Sequence, residues 1–230
     1  MKVIVTGATG LVGSGVLAAC IADERITHVF AMSRRPLPKA LADDPKVTSI
    51  IHHDFGSYPP DILSELAGVE ACIWAIGGRA HQFPDIETYK AVQVDFPVAA
   101  ANAFLDNLVP QLPAGKRFSF MFCSDRHAEW DEKKPLWFNP DTRRIHGEAE
   151  QELCDLADTR CGSAGSKHHF SAYCVRPGHV LPAGANMASK FVGKLHCSIG
   201  ADQLGRAMIR ILLEGYDERI VEYEDLVNLS

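Results

Sequence analysis

The sequence predicts an α/β domain built on a doubly wound parallel sheet, and three observations carry that prediction. Apolar runs rich in Val, Ile and Phe recur along the chain, alternating with stretches of helical periodicity. Within each run the residues are apolar almost continuously, the pattern of strands covered by helices on both faces. The first run also passes directly into a glycine-rich turn and an apolar-faced helix, "KVIVTGATGLVGSGVLAAC".

The strands are expected at 2–6 (KVIVT), 27–33 (THVFAMS), 47–53 (VTSIIHH), 70–76 (EACIWAI), 117–123 (RFSFMFC) and 170–175 (FSAYCV). Between them, helical patterns occupy 11–22, 60–66, 88–108 and 141–157. Residues 200–215 read as a further helix, and 219–229 as a short strand and terminal turn. The 230 residues suit a single domain spanning 1–230, with no internal repeat, low-complexity segment or dividing linker. The least regular stretches, 124–140, 159–168 and 177–198, read as following the carboxyl ends of strands, the edge where doubly wound sheets bind ligands. Loops 124–140 and 177–198 are the expected walls of a substrate pocket.

Composition narrows the function classes. The chain is 47% hydrophobic and 23% charged with a net charge of -6, so neither nucleic acid nor an anionic membrane surface is the expected partner. No apolar run approaches the ~20 residues that span a bilayer. The run after Met1 breaks at Gly7, too soon for a signal-peptide apolar region. Seven cysteines are scattered without a C-x-x-C pair, and ten histidines lack metal-ligand spacing. The expectation is a reduced, cytoplasmic protein without a metal, acting on a small-molecule substrate as a monomer or homodimer.

Gly7, Gly10 and Gly13 recur every third residue between the first strand and the first helix. Glycine there permits a tight turn, lets a pyrophosphate approach the backbone and allows close helix-on-sheet packing. The first-turn amides and the positive helix end then face the phosphates. A Rossmann-type dinucleotide site is the expectation, with Thr6, Thr9, Leu11 and Val12 completing the turn; the plainer alternative is a glycine turn that only packs. About 20 residues past Gly13, where a ribose-binding residue belongs, stand Ser33, Arg34 and Arg35, with no Asp or Glu between Arg25 and Ala42. A carboxylate would hold the 2′-hydroxyl of NAD; an arginine pairs with a 2′-phosphate, so the cofactor expected is NADP (NADPH). The plainer reading of the two arginines is a pair of solvated loop charges. Asp54, followed by Phe55, is a candidate adenine contact or simply a turn former.

"TGATGLVG" resembles the TGxxGxxG fingerprint of the atypical and extended short-chain dehydrogenase/reductases. "MSRRP" is similar to their NADP-selecting second strand, and "AIGG" (Ala75, Ile76, Gly77, Gly78) to the turn passing the adenine ribose. "YKAVQVDFPVAAANAF" resembles their central helix, with Gln93 where many members carry Asn. "FMFCSD" resembles the strand ending in the catalytic Ser, here Ser124, and "RIHGEAEQEL" a helix usually written Y-x-x-x-K-G-E-x-E. "VRPGHV" (Arg176, Pro177, Gly178) is similar to the R-P-G turn after the sixth strand. The match spans nearly the whole chain in order, and the small NmrA-like or oxidoreductase-like subgroup is the nearest one.

The family's acid/base Tyr and its Lys partner are absent. Anchored on "GEAE", those positions are Thr142 and His146, and no tyrosine lies between Tyr89 and Tyr173. Thr142 and His146 are i,i+4 and should point inward together, whereas Glu148, Glu150, Glu152 and Asp155 should mostly decorate other faces and Arg143 and Arg144 should face solvent. His146 either donates to the cofactor ribose in place of Lys or is a buried structural histidine. Acid/base groups must then come from Ser124, Asp125 and His127, whose alternative is ordinary loop solvation; an Asp directly after that Ser resembles the proton donor of sugar-nucleotide dehydratase members. Trp130, Trp137 and Phe138 either line an apolar pocket or pack the loop. Three functions remain: an NADP-dependent oxidoreductase acting on a small apolar carbonyl or enone through a non-standard proton relay, a non-redox isomerase, lyase or cyclase with a structural dinucleotide, and an NADP(H)-sensing regulatory protein.

Overall fold

Strand β1 (Lys2–Thr6) sends Val3 and Val5 into one apolar cluster and Ile4 into another, because successive side chains leave opposite faces of a sheet. This alternation explains the continuous apolar runs, since both faces are buried. The computed structural model describes residues 1–161, 169–184 and 197–230. Residues 162–168 and 185–196, which include parts of two expected loops, lie outside the described residues.

A seven-stranded, all-parallel sheet runs in the order β3-β2-β1-β4-β5-β6-β9. Its members are β2 (His28–Ser33), β3 (Val47–Ile51), β4 (Ala71–Trp74), β5 (Arg117–Cys123), β6 (His169–Val175) and β9 (Ile220–Val221) beside β1. A separate parallel pair joins β7 (His179–Leu181) to β8 (Ser198–Gly200). One face carries α1 (Leu11–Ala22), α7 (Ala201–Glu214) and α8 (Tyr223–Leu229), packed over Val3, Val5, Ile73 and Met121. The other carries α3 (Pro60–Glu65), α5 (Phe96–Asn107) and α6 (Pro140–Cys161) over Ile4, Trp74, Phe118, Phe120 and Phe122. The short α2 (Lys39–Ala42) buries none of its residues.

Two differences from the sequence expectation have clear causes. The helix expected over 88–108 is α4 (Ile86–Lys90) and α5 joined by a π-turn at Ala91–Asp95. Pro97 has no N–H to donate to the Gln93 carbonyl, so the ordinary ladder is interrupted there and Gln93 turns inward, buried. The stretch 159–168 does not follow a strand: Thr159–Cys161 is the last turn of α6, leading to the amino end of β6.

Helix α1 crosses α7 where Gly15 meets Gly205. A Cβ on Gly205 would lie 2.8 Å from the Gly15 carbonyl oxygen, and one on Gly15 would lie 2.5 Å from that of Ala201. Gly205→Leu should force the two helices apart and cost about 1–3 kcal/mol in urea unfolding. An unchanged midpoint would show that this crossing tolerates a side chain.

Candidate functional site

Strands β1 and β4 are neighbours, but the chain leaves them towards opposite sides of the sheet, which opens a crevice at their carboxyl ends. The turn after β1 fills the floor of that crevice. Gly7 has φ +64°, and a Cβ there would sit 2.4 Å from the Ala75 carbonyl oxygen; a Cβ on Gly13 would sit 2.1 Å from the Gly7 carbonyl oxygen. Side chains are excluded at both positions. Helix α1 starts from Gly10 with no side-chain cap and no acidic residue in its first turn, so its leading amides are left to an anionic partner.

A cavity of about 260 Å³ lies over this turn. Gly7, Thr9 and Gly10 form one wall, Ala75, Ile76 and Gly77 a second, and Ser33, Arg34, Arg35 and Phe55 the end. The Ser33 hydroxyl donates to the Arg35 carbonyl at 2.6 Å and shapes the turn that leaves both arginines exposed. Phe55 stands edge-on to Trp74 at 5.7 Å. The other expected contacts stand off the lining. Thr6 is buried, and its hydroxyl accepts from the Ala75 amide at 3.1 Å, tying β1 to the end of β4. Leu11, Val12 and Gly13 form the first turn of α1, Gly13 beneath Gly7. Asp54 accepts from the Gly56 amide at 3.0 Å and closes its own turn.

Along the loop after β4 the chain passes from this cavity to a second one of about 220 Å³ at the carboxyl end of β5. Its lining brings together Asp125, His127 and Thr142 with Arg79, Arg126, Phe138, Asn139, Arg143, Gly178 and His179. Thr142 is pinned to the loop because its hydroxyl accepts from the Ala80 amide at 3.3 Å. Asp125 accepts from the His127 amide at 2.8 Å. Of the two readings of the loop aromatics, the described residues show no gathered apolar pocket: Trp137 is 94% exposed, Trp130 donates to Glu150, and the Arg143 guanidinium covers the Phe138 ring at 4.9 Å. Arg143 therefore does not face solvent as its helix position suggested; its Nε also donates to the His127 carbonyl at 2.8 Å.

Ser124 does not line either cavity. Its hydroxyl donates at 2.6 Å to Glu150, which is fully buried rather than on an outer face of α6. The same carboxylate accepts from Trp130 Nε1 at 2.7 Å, from Arg176 Nε at 2.9 Å and from Arg176 Nη2. Arg176 in turn donates to Glu222 at 3.0 Å, so the arginine of the R-P-G turn is also directed into this network, while Pro177 is buried and Gly178 reaches the second cavity. A buried carboxylate persists only with donors of this number and charge.

One turn below Thr142, His146 is buried and its Nε2 lies 2.7 Å from Gln93 Nε2 across the π-turn, accepting from the amide in the neutral ring. Burial holds its pKa below 6.5, against the opposing charges of Asp125 and Glu150. Beside it, Tyr89 of α4 is buried with its hydroxyl donating to the Gly78 carbonyl at 3.3 Å. Burial pushes this phenol up to about 12, while hydrogen bonds to Thr142 and Gln93 act the other way. No tyrosine lies on α6, but Tyr89 comes beside Thr142 from another helix; the signal legible in the chain is its i,i+4 spacing from Gln93. Among the described residues no group of His, Cys, Asp or Glu is placed to hold a metal ion, and no helix is long and apolar enough to cross a membrane.

A seven-stranded parallel sheet with a glycine turn under its topological switch decides the architecture. This is a Rossmann fold. Among solved structures that share it, the NADP complex of Pseudomonas aeruginosa RhlG superposes with a TM-score of 0.71 at 12% identity, covering 96% of this chain and 93% of that one. DesIV, the dTDP-glucose 4,6-dehydratase of Streptomyces venezuelae with NAD bound, gives 0.68 at 16% identity over 97% and 75% of the two chains. By sequence, leucinostatins biosynthesis cluster protein T of Purpureocillium lilacinum is 29% identical over 182 residues, 77% of this chain. The chain spans 64% of that relative's length, less than two thirds of it. No family profile matches the chain.

Two consequences of the buried groups are measurable. Glu150→Leu strands Arg176, Ser124 and Trp130 and should cost about 3–5 kcal/mol in urea unfolding, as loss of one partner of a buried pair does; a cost near zero would show that water replaces the carboxylate. Because the folded chain resists protonation of His146, the unfolded chain takes up that proton first, and stability should fall as pH drops below about 6.5. His146→Gln should therefore lose less stability than the native chain between pH 7 and pH 5.5. Parallel losses would assign the titration to other groups.

Proposed function

We propose that this Rossmann domain binds NADP(H) in the crevice after β1 and acts as an oxidoreductase on a small carbonyl substrate held in the adjoining cavity. The observation that carries this reading is that one loop borders both cavities, Ala75, Ile76 and Gly77 lining the first and Arg79 the second, with Arg34 and Arg35 on the first and Thr142 on the second. The Gly7 turn and the uncapped start of α1 suit a diphosphate, and the exposed guanidinium groups suit a 2′-phosphate. Bound there, the dinucleotide supplies or accepts a hydride. The chain's own part is the proton. Thr142 lines the substrate cavity, and Tyr89 stands behind it as a protonated phenol that can replace a proton passed on by Thr142 once its hydroxyl turns from the Gly78 carbonyl to Thr142. His146 stays neutral and holds Gln93 against this pair. Asp125 and His127 line the same cavity as further proton-transfer groups.

One observation favours a second reading. Ser124 spends its proton on Glu150, so it is not free to orient a carbonyl, and a non-redox enzyme with a structural dinucleotide needs no such group.

Calorimetry with NADP and NAD tests the cofactor, and NADPH consumption over a carbonyl panel tests the chemistry. Arg34→Ala with Arg35→Ala should weaken NADP about tenfold or more and leave NAD nearly unchanged. Tyr89→Phe should lower kcat with little effect on NADPH affinity. Absence of binding by either nucleotide sinks the proposal; binding without NADPH consumption by any member of the panel favours the second reading.

A further inference from the structure

The cavity at the carboxyl end of β5 has a charge character opposite to that of the chain. The protein carries a net charge of -6, yet Arg79, Arg126 and Arg143 all line this cavity, with His127 and His179 beside them and Asp125 as the one carboxylate. Asp125 already accepts from the His127 amide. Each of two guanidinium groups is anchored from behind: Arg126 donates to Glu224 at 3.0 Å and lies 5.0 Å over the Tyr223 ring, and Arg143 donates to the His127 carbonyl and lies 3.7 Å from the Glu129 carboxylate. Their planes are thereby held with donors to spare. Arg126 Nη1 is buried without a hydrogen-bond partner among the described residues. Residues 162–168 and 185–196 contain no Asp or Glu, so no carboxylate from them can answer it. A buried guanidinium N–H without a partner favours an acceptor that comes within reach, and Arg presents its donors in the fork that matches a carboxylate or phosphate.

We propose that this cavity takes a small substrate carrying an anionic carboxylate or phosphate group, which the guanidinium of Arg126 grips, with Arg79 and Arg143 closing on the same anion. That the anion belongs to a substrate rests on the reading of the neighbouring crevice as the dinucleotide site. This reading puts a charged compound in place of the small apolar carbonyl or enone among the sequence expectations.

Calorimetric titration of the whole protein with malonate, its neutral counterpart malonamide and phenyl phosphate, each with and without saturating NADP, tests this. Binding of either anion but not of malonamide, retained when NADP is present, is the expected result; the tighter anion identifies carboxylate or phosphate as the natural group. Arg126→Gln should weaken that binding at least about tenfold. Arg79→Gln removes an exposed side chain and serves as a second variant should Arg126→Gln fail to fold; it should weaken binding in the same direction. Anion binding no stronger than malonamide binding overturns the proposal. Displacement of the anion by NADP also overturns it, because the arginines would then hold the cofactor's own phosphates. Anion binding in a protein that does not bind NADP upholds the cavity's anion preference and removes the oxidoreductase reading.

Discussion

A carboxylate without access to water governs the carboxyl edge of this sheet. Glu150 projects from the middle of α6 and collects donors from three other segments: Ser124 just after β5, Trp130 further along that loop, and Arg176 at the end of β6. Arg176 extends the network to Glu222, between β9 and α8. In a low-dielectric interior a carboxylate cannot be left half satisfied, so each donor must arrive in place as the segments pack. The loop after β5 is thereby drawn down onto α6, and its next residues, Asp125 to His127, are left facing the cavity.

The same constraint redistributes chemistry. Ser124 was expected to face the reacting group; its hydroxyl is committed instead to a buried acceptor. Thr142 and His146 occupy one inward stripe, and the space beside them holds Tyr89 and Gln93 from the helix across the groove. A phenol is thus present near the expected place, although it belongs to a different element and is shut away behind a threonine. The histidine is kept neutral by its surroundings and contributes an acceptor rather than a charge.

Much of the fold was legible because it depends on patterns that repeat locally. Both-face burial makes the parallel strands continuous in apolar character, and the expected and observed strand at Arg117–Cys123 coincide, as does the helix at Leu11–Ala22. The glycine turn was legible for a different reason: a Cβ at Gly7 or Gly13 would collide with backbone, so only one residue type fits. The π-turn was harder to foresee, since a proline inside a helical pattern signals an interruption without saying which neighbouring residue is turned inward. The inward placement of Glu150 and the half-covered position of Arg143 ran against the usual solvent preference of charged side chains, which holds unless a partner waits inside.

The amino-acid sequence by itself determined the alternation of strands and helices, the place of the glycine turn and the basic character of the residues after the second strand, because each follows from the period of burial or from steric exclusion within a short stretch. Only the tertiary structure decided which polar groups meet. The partnership of Ser124 with Glu150, the approach of Tyr89 to Thr142, and the gathering of Arg79, Arg126 and Arg143 around one cavity join residues far apart in the chain. Such contacts are set by how helices and loops stack on the sheet, and nothing in local spacing encodes a distance across it.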